Sequence, residues 1–428
     1  MPIRYIAAAA GIATMLLLLV AASISLAGGT MYREASLNAQ GKALDVNQDA
    51  TGNLFLSDPG ASEIWQLQPA TSVYTKYLDL PHPYDARPDG AGNIWWTDWA
   101  TTLGRINVLA DNVTTWEIEP SQPQQALGGL ALDGAGRVWL ATYSYYFSTG
   151  AALYRFDPQT GQLCEYEWDG GSNSEYVLYD AGHVWLGDQG NQRIIRFDPA
   201  AAQDQVKWWS LPPGLQVTST RSRNASPHSR SQSPPPPASS PYQNREQSAL
   251  QEGLSPRGLA LDADGHLWWA DPSAIALASL DPANDQVTTY SLPGDSDPVM
   301  LTLDGGRVWY TTLSGSVGAL DPRTASGSVA TATTGSPTTT SASCRSIGMG
   351  TIATVSVAQG TLAWGTPAEL APVLDGGGWT IYQLPEGASL YGIAQSSGSL
   401  WVVDNGRQQL VRLDAGAPSR TFLPLIIR

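Results

Sequence analysis

The sequence predicts an all-β protein, a β-propeller of four-stranded blades. Three observations lead to this prediction. First, a short motif that contains Trp and ends in Asp or Thr recurs along the chain. Second, the copies follow hairpin signals such as Asp-Gly. Third, no segment shows sustained helical periodicity. The clearest copy of the motif is Gly92-Asn93-Ile94-Trp95-Trp96-Thr97-Asp98.

The glycines that open the motif set the period of the repeat. They stand at positions 52, 92, 136, 182, 265, 306, 360 and 398, about 40 residues apart except where a long segment intervenes. Four short strands in about 40 residues are typical of one propeller blade. We therefore count eight repeats between residues 43 and 423. Seven blades is the alternative, if the degenerate copy at 360–366 is not a blade.

Within each repeat, the motif Trp falls in the second strand. Seven copies carry one, namely Trp95, Trp139, Trp185, Trp268, Trp309, Trp364 and Trp401. Large aromatic side chains that recur at one place in stacked sheets are expected to fill the space between blades. Side chains alternate faces along a strand, so Trp96 and Trp269 are expected to pack against the opposite neighbouring blade.

The N-terminus and the charge balance indicate an exported protein. Residues 1–27 carry Arg4, an apolar run and the small residues Ser25 and Ala27, which predicts a secretory signal peptide cleaved after Ala27. An uncleaved membrane anchor is the alternative. The expected location is thus secreted or at the cell surface. The formal net charge of −15 argues against a nucleic-acid partner, and we expect a monomer.

Two segments and the tail interrupt the repeat pattern. Residues 214–253 and 323–348 are rich in Ser, Thr, Pro or Gly and are expected to be disordered insertions. The C-terminal stretch Thr421–Arg428, of which 424–428 is a short tail, occupies the expected fourth-strand position of the last repeat. For the two cysteines, Cys164 and Cys344, the sequence leaves both a disulfide and a pair of free thiols open.

The motif copies at 89–98 and 264–271 resemble the blades of the streptogramin lyase (virginiamycin B lyase) family. Two further pieces match the pattern of that family, Gly104-Arg105-Ile106 and Pro256-Arg257-Gly258-Leu259. The resemblance covers nearly all of residues 43–423 outside the two insertions. It implies a propeller fold and the opening of a cyclic depsipeptide at its ester by elimination, with a base for the α-proton and a metal, usually magnesium.

The histidines that the resemblance implies are missing from this sequence. Family members carry them 10 or 11 residues before the motif Trp, at the start of the innermost strand. Tyr84, Gly128, Arg257 and Tyr391 stand there instead. His183 and His266 fall in hairpin turns, and His82 lies two residues from the matching place. The candidate inner residues of an enzyme are therefore Tyr84, Arg87, Arg257 and Tyr391.

The acidic residues that end the motif are the candidate metal ligands. Asp98, Asp188 and Asp271 occupy equivalent places on a rotational fold, where a ring of carboxylates would suit Mg²⁺ or Ca²⁺. The alternative is that each Asp caps its own turn through backbone amides, which explains why Thr stands at some of these positions.

Two functions follow from these observations. The first is a secreted binding or scaffold propeller that contacts a small molecule, glycan or protein at the mouth of its channel. The second is a metal-dependent lyase or lactone-type hydrolase acting at that channel. The missing histidines favour the first, and the sequence leaves it uncertain whether the protein is an enzyme.

Overall fold

A computed structural model of the chain describes residues 30–37 and 45–414, apart from 99, 122–124, 145–151, 170–172, 190, 202–204, 212–255, 273, 295–296 and 338–339. Every regular element among these residues is a β-strand. The strands form seven antiparallel sheets of five strands each, which are the seven blades of a β-propeller. The prediction of a propeller is confirmed. The count of eight blades is wrong, and the alternative of seven blades is confirmed.

Four strands of each blade come from one stretch of chain in the first five blades. With strands numbered in chain order, the ranges are as follows: blade 1, β2 (Asp45–Gln48), β3 (Leu54–Asp58), β4 (Glu63–Gln68) and β5 (Val73–Leu78); blade 2, β6 (Asp85–Pro88), β7 (Asn93–Thr97), β8 (Thr102–Asn107) and β9 (Asn112–Glu117); blade 3, β10 (Gln125–Leu132), β11 (Val138–Ser144), β12 (Leu153–Asp157) and β13 (Gln162–Trp168); blade 4, β14 (Ser174–Asp180), β15 (His183–Asp188), β16 (Arg193–Phe197) and β17 (Val206–Ser210); blade 5, β18 (Arg257–Leu261), β19 (Leu267–Asp271), β20 (Ala276–Asp281) and β21 (Gln286–Ser291).

The last two blades are assembled from separated segments. Blade 6 contains β22 (Pro298–Asp304), β23 (Arg307–Thr312), β24 (Ser316–Leu320) and β32 (Trp379–Gln383), and blade 7 contains β33 (Leu390–Ser396), β34 (Ser399–Asp404), β35 (Gln409–Asp414) and β1 (Thr30–Ser36). The N-terminal strand β1 thus closes the ring by pairing with β35. The prediction that the C-terminal Thr421–Arg428 fills this place is wrong, because β1 occupies it. Residues 415–428 lie outside the described part of the chain.

The fifth strand of every blade comes from one continuous segment, residues 323–377, which we call the belt. Its strands are β25 (Ser328–Thr331), β26 (Thr333–Gly335), β27 (Thr340–Ser346), β28 (Thr351–Thr354), β29 (Ser356–Thr361), β30 (Ala368–Leu370) and β31 (Leu374–Gly376), and they join blades 5, 4, 3, 2, 1, 7 and 6 in that order. The expectation of a disordered insertion at 323–348 and of four strands per blade is therefore wrong. The other insertion, 214–253, lies outside the described residues.

A disulfide fixes the belt to the ring. Cys164 in β13 and Cys344 in β27 are direct partners in the strand register and are bonded. The degenerate motif copy at 360–366 belongs to the belt, where Trp364 packs against Trp401 of blade 7 instead of standing in a second strand. The sequence resembles the motif there because a Gly and a Trp recur at similar spacing, without the hairpin that a blade requires.

The motif itself is explained by the first hairpin of each blade. The carboxylate of Asp89 accepts the amides of Ala91 and Asn93 and, at 3.3 Å, the indole N–H of Trp95. Asp133 and Asp262 hold Trp139 and Trp268 in the same way, at 3.1 and 2.8 Å. One Asp thus closes the turn and orients the Trp six residues later.

The prediction that adjacent Trp residues pack on opposite faces of their blade is confirmed. Trp95 packs into the core between blades 2 and 3, with Leu127 and Tyr154, whereas Trp96 packs into the core between blades 1 and 2, with Ile64 and Tyr77. Trp268 and Trp269 divide in the same manner between the two cores that flank blade 5. The cores of the molecule therefore lie between blades, and the second strands supply much of them.

Candidate binding site on the inner strands

The first strand of each blade lies innermost, opposite the belt. These strands are β2, β6, β10, β14, β18, β22 and β33, and each contacts the first strand of both neighbouring blades, so that they form a closed ring around the propeller axis. Five of them, β10, β14, β18, β22 and β33, carry a register shift at the same place. Such a bulge re-aims side chains, and bulges are common next to functional sites.

The predicted inner positions do lie on this ring. Tyr84 immediately precedes β6, Gly128 lies at the bulge of β10, Arg257 begins β18 and Tyr391 lies at the bulge of β33. The corresponding residue of blade 4 is Glu175, which was not among the predicted inner residues. The signal was present, because Glu175 lies ten residues before Trp185 and so obeys the same spacing rule.

A first polar cluster joins blades 1, 2 and 3, and we call it the Asp85 cluster. It consists of Asp45, Asn47, Asp85 and Arg87. Asp85 is buried, with Oδ1 accepting from Arg87 Nε at 2.9 Å and Oδ2 accepting from the backbone amide of Leu130 at 2.9 Å. Arg87 also lies 3.9 Å from Asp45. Two carboxylates thus share one guanidinium at the inner ring.

Burial raises the pKa of Asp85 to about 6, and Arg87 opposes that effect while Asp45 adds to it. Burial likewise acts to lower the pKa of Arg87, but the two carboxylates outweigh it and leave that pKa above its usual range. Desolvation and a neighbouring like charge are the two standard causes of a raised carboxyl pKa. Arg87 therefore stays charged, and Asp85 changes its charge near neutral pH.

A second polar cluster joins blades 2 and 4, and we call it the Glu175 cluster. The Tyr84 hydroxyl donates to Glu175 Oε1 at 2.7 Å, and Gln189 Nε2 donates to Glu175 Oε2 at 3.4 Å. Tyr84 also packs with Tyr143. Glu175 is buried with only 3% of its surface exposed. The result is a buried carboxylate that accepts a hydrogen bond from a phenol.

Blade 3 lies between blades 2 and 4, and it leaves room for this contact because two adjacent glycines, Gly128 and Gly129, stand at that point of its inner strand. A Cβ atom on Gly128 would lie 3.0 Å from the carbonyl oxygen of Glu175, and one on Gly129 would lie 3.1 Å from Asp85 Oδ2. Tyr84 of blade 2 therefore reaches Glu175 of blade 4 directly. The adjacent glycines bring the Asp85 and Glu175 clusters onto one sector of the ring, formed by blades 1–4.

The other predicted residues lie on other sectors. Arg257 belongs to blade 5 and Tyr391 to blade 7. The carbonyl of Tyr391 accepts the Thr311 hydroxyl at 2.6 Å, a contact between blades that recurs where Thr97 donates to the carbonyl of Gly128 at 2.8 Å. At Tyr391 the backbone therefore ties neighbouring blades together.

The motif aspartates cap their own turns. Asp98 accepts the amides of Ala100 and Thr102, and Asp271 accepts that of Ala274. Asp188 accepts the amides of Asn173 and Asn191 and the Arg193 Nε at 2.7 Å. Thr142 and Thr312 make the equivalent turn bonds with a hydroxyl.

The metal proposed for these aspartates does not fit them. Among the described residues, Asp98, Asp188 and Asp271 do not bring their oxygens within 4.8 Å of one another. One group in that part of the chain does so, Asp262, Asp264 and His266. It is the first hairpin of blade 5, where Asp262 caps the turn through the amides of Asp264 and His266. A turn role accounts for these carboxylates.

No helix in the described part of the chain is long and apolar enough to cross a membrane. Residues 1–27, the predicted signal peptide, lie outside that part.

The sequence matches no known protein-family profile and no curated protein. Solved structures do match. The virginiamycin B lyase of Staphylococcus aureus, as its selenomethionine form, aligns with a TM-score of 0.59 and 14% identity over 89% of this chain and 98% of that chain. A catalytically inactive variant of that lyase with quinupristin aligns with a TM-score of 0.58, at the same identity and coverage. A streptogramin B lyase aligns with a TM-score of 0.55 and 14% identity over 90% of this chain and 97% of that chain. This chain therefore has the fold of the streptogramin B lyases. A sequence identity of 14% shows the shared fold and nothing more.

Proposed function

We propose that this chain is an exported β-propeller that binds a small polar ligand on the inner-strand sector of blades 1–4 and is not a lyase of the virginiamycin B type. The observation that carries the proposal is the pair of polar clusters around Asp85 and Glu175, which are buried on the inner strands of blades 2 and 4, on either side of the glycines of blade 3. Buried titratable groups that converge on one site are a recurring feature of ligand-binding and catalytic sites. The lyase is disfavoured because Tyr84, Gly128, Arg257 and Tyr391 replace the histidines that the resemblance implies.

Export is supported by two features. The apolar segment at 1–27 has the layout of a signal peptide. The Cys164–Cys344 disulfide is a bond that persists in oxidising compartments and is rare in the cytosol. The proposal has the protein secreted or held at the cell surface, acting as a monomer and without a nucleic-acid partner, in keeping with its net charge of −15.

The chemistry of the sector favours a ligand rich in hydroxyl groups, such as a glycan. Asp45, Asp85 and Glu175 offer carboxylate oxygens that accept hydrogen bonds from hydroxyls, and Arg87 offers donors. Tyr84 adds a phenol ring at Glu175, and Tyr143 packs with Tyr84. A sugar presents both hydroxyl donors and an apolar face, which suits aromatic side chains next to polar groups.

Isothermal titration calorimetry with a panel of soluble oligosaccharides tests the ligand class. The full chain is expected to bind one class of saccharide, and Glu175→Gln and Tyr84→Phe are each expected to weaken that binding at least tenfold. Glu386→Gln, which removes an exposed carboxylate, is the matched control and should bind as the unaltered chain does. Failure to bind any saccharide, or equal binding by all four proteins, would overturn the proposal.

Catalysis with Asp85 as a general base is the second candidate function. Burial places the pKa of Asp85 near 6, close to the value at which a carboxylate both exists as a base at neutral pH and accepts a proton readily. Incubation of the full chain with quinupristin and with a set of lactones, with and without Mg²⁺, followed by mass spectrometry, tests it. Product that disappears in Asp85→Asn supports catalysis. Intact substrates under all conditions reject it.

A further inference from the structure

The belt begins and ends at one point of the ring. The amide of Asp321, after β24, donates to the carbonyl of Gly378, before β32, at 2.8 Å, and Leu320 pairs with Trp379 in the strand register. β24 and β32 are therefore hydrogen-bonded neighbours in blade 6, although the belt separates them in the sequence. Residues 323–377 leave this point, pass every blade once and return to it.

Each blade receives the belt on the free edge of its fourth strand. The longest pairing is β27 with β13, where seven consecutive residues are in register from Gln162↔Ser346 to Trp168↔Thr340. β29 pairs with β5 over six residues in the same antiparallel sense. The addition of an extended segment to an exposed sheet edge is a known mode of peptide recognition, in which main-chain hydrogen bonds supply affinity and side-chain pockets supply specificity.

A second contact recurs at the turn between the third and fourth strands. The residue that ends this turn has a left-handed backbone, with φ of 60° at Ser72, 47° at Asp111, 69° at Gly161 and 59° at Asp285. The carbonyl of each accepts a belt amide. The four donors are Leu362, Val355, Ile347 and Ala332, at 2.8, 3.2, 2.9 and 2.8 Å respectively.

The residues that make this contact also enter the cores between blades. At six of the seven junctions an apolar belt side chain packs into the core, and the series is Ala325, Ala332, Ile347, Val355, Leu362 and Leu370. Trp364 adds a second belt side chain beside Leu362. At the seventh junction, between blades 3 and 4, the belt passes through residues 338–339, which lie outside the described part. Neighbouring members of the series are seven or eight residues apart where one junction separates them. The low-complexity segment thus carries a repeat of its own.

Glycines of the belt lie against aromatic rings of the fourth strands. A Cβ atom on Gly335 would meet the Trp208 ring at 2.4 Å, one on Gly350 the Trp116 ring at 2.7 Å, and one on Gly360 the Tyr74 hydroxyl at 2.4 Å. Pairing of a strand glycine with an aromatic ring pins strand register. The disulfide from Cys164 to Cys344 fixes the register in blade 3.

We propose that the circumference of this propeller is a binding track of seven peptide sites, one in each blade, and that the belt is its intramolecular ligand. Every site has a fourth-strand edge. The sites of blades 1, 2, 3 and 5 add a left-handed turn carbonyl, and six of the seven junctions add an apolar slot between two blades. The ligand class is an extended peptide with a small or medium apolar residue at every seventh or eighth position. The ring is complete without the belt, and the disulfide holds the ligand in register. This inference is independent of the inner-strand site.

The test releases the belt from a full chain that has already folded. Recognition sequences for a site-specific protease are inserted after the exposed Arg323 and after the exposed Gly376, and both are cut after folding. The belt fragment is then held by its contacts and the disulfide alone. After reduction, a labelled synthetic peptide of residues 324–376 is added in excess and the mixture is reoxidised. Near-ultraviolet circular dichroism reports the Trp packing of the ring, and intact mass reports the Cys164–Cys344 bond to the labelled peptide.

We expect the reduced, cut ring to keep its near-ultraviolet signal and to exchange its belt for the labelled peptide, with the disulfide formed to Cys344 of that peptide. A peptide carrying both Val355→Asp and Leu362→Asp should be captured at least tenfold more slowly, because each Asp would enter an apolar slot. Ile352→Asp is the matched control and should be captured normally, since Ile352 is 67% exposed whereas Val355 is 5% exposed.

Three results would overturn the proposal. Loss of the near-ultraviolet signal when the belt leaves would show that the belt is part of the ring's core. A reduced belt that never exchanges with the labelled peptide would show that it is a permanent element and not a ligand. Equal capture of the double-Asp peptide would show that the slots between blades do not recognise the apolar repeat.

Discussion

Asp85 Oδ2 accepts the backbone amide of Leu130 at 2.9 Å, so a carboxylate of blade 2 reaches into the inner strand of blade 3. Gly129 leaves the space for this contact, and Arg87 holds the other oxygen of the same carboxylate. The bond therefore depends on a missing side chain in one blade and a cation in another. It places a titratable group where three blades meet at the propeller axis.

Gly129→Ala is expected to destabilise the protein by about 1–2 kcal/mol, because the new Cβ atom would lie 3.0 Å from the Glu175 carbonyl and 3.1 Å from Asp85 Oδ2. Gly134→Ala is the matched control. A Cβ atom there meets nothing within 4 Å, so that variant should unfold within about 0.5 kcal/mol of the unaltered chain. Urea unfolding followed by Trp fluorescence measures both, and equal stability of the two variants would contradict the close approach at Gly129.

Asp133→Ala is expected to cost about 3 kcal/mol of unfolding free energy. The buried carboxylate accepts the amides of Ala135 and Arg137, the Arg137 Nε and the Trp139 indole, and all four donors lose their partner. Asp264→Ala, which changes an exposed residue of the corresponding turn in blade 5, is the control and should change stability by less than about 0.5 kcal/mol. Thermal unfolding of both variants checks the difference, and a cost at Asp264 as large as at Asp133 would count against the capping role.

Thr97→Val and Thr311→Val are each expected to cost about 1 kcal/mol, because each hydroxyl donates to an inner-strand carbonyl of the next blade and valine keeps the shape without the donor. The two contacts lie at different junctions, between blades 2 and 3 and between blades 6 and 7. Their effects should therefore add in the double variant to within about 0.5 kcal/mol. Denaturant unfolding of the unaltered chain, the two single variants and the double variant shows whether the two losses of unfolding free energy add. A loss in the double variant that differs strongly from the sum would contradict independent contacts at the two junctions.

The sequence predicted those parts of the fold in which local chemistry repeats. The Asp that caps the first hairpin and the Trp that it orients recur because each blade must close the same hairpin and fill the same space beside its neighbour. The propeller and the inner positions of Tyr84 and Arg257 were therefore predictable. The spacing rule that found Tyr84 also contained Glu175. Its contact with Tyr84 across blade 3 was not predictable, because it depends on Gly128 and Gly129 leaving a gap.

The belt was not predictable as structure for a different reason. Its strands pair along the outer edge of each blade, and most of their side chains are exposed on both faces, as in Thr340–Ser346. No alternation of polar and apolar residues is then required, and the remaining signal is one apolar residue in every seven or eight. Closure of the ring by Thr30–Ser36 was not predictable because a single fourth strand carries no motif.

The proposed inner-strand site contains a carboxylate, that of Asp85, whose charged form is disfavoured by burial. A raised pKa means that the folded protein binds the Asp85 proton more tightly than the unfolded chain does. The stability that comes from this group is therefore present at low pH and is lost as pH rises from about 4 to about 6. Functional sites commonly carry such a cost to stability.

The most direct test is the difference in unfolding free energy between the unaltered chain and Asp85→Asn, measured with urea at intervals from pH 4 to pH 7. Asparagine does not titrate, so a fixed loss of hydrogen bonds would shift the difference equally at every pH. We predict that the unaltered chain loses about 2 kcal/mol relative to Asp85→Asn between pH 4 and pH 6. A difference that stays constant, or that moves in favour of the unaltered chain as pH rises, would contradict the account.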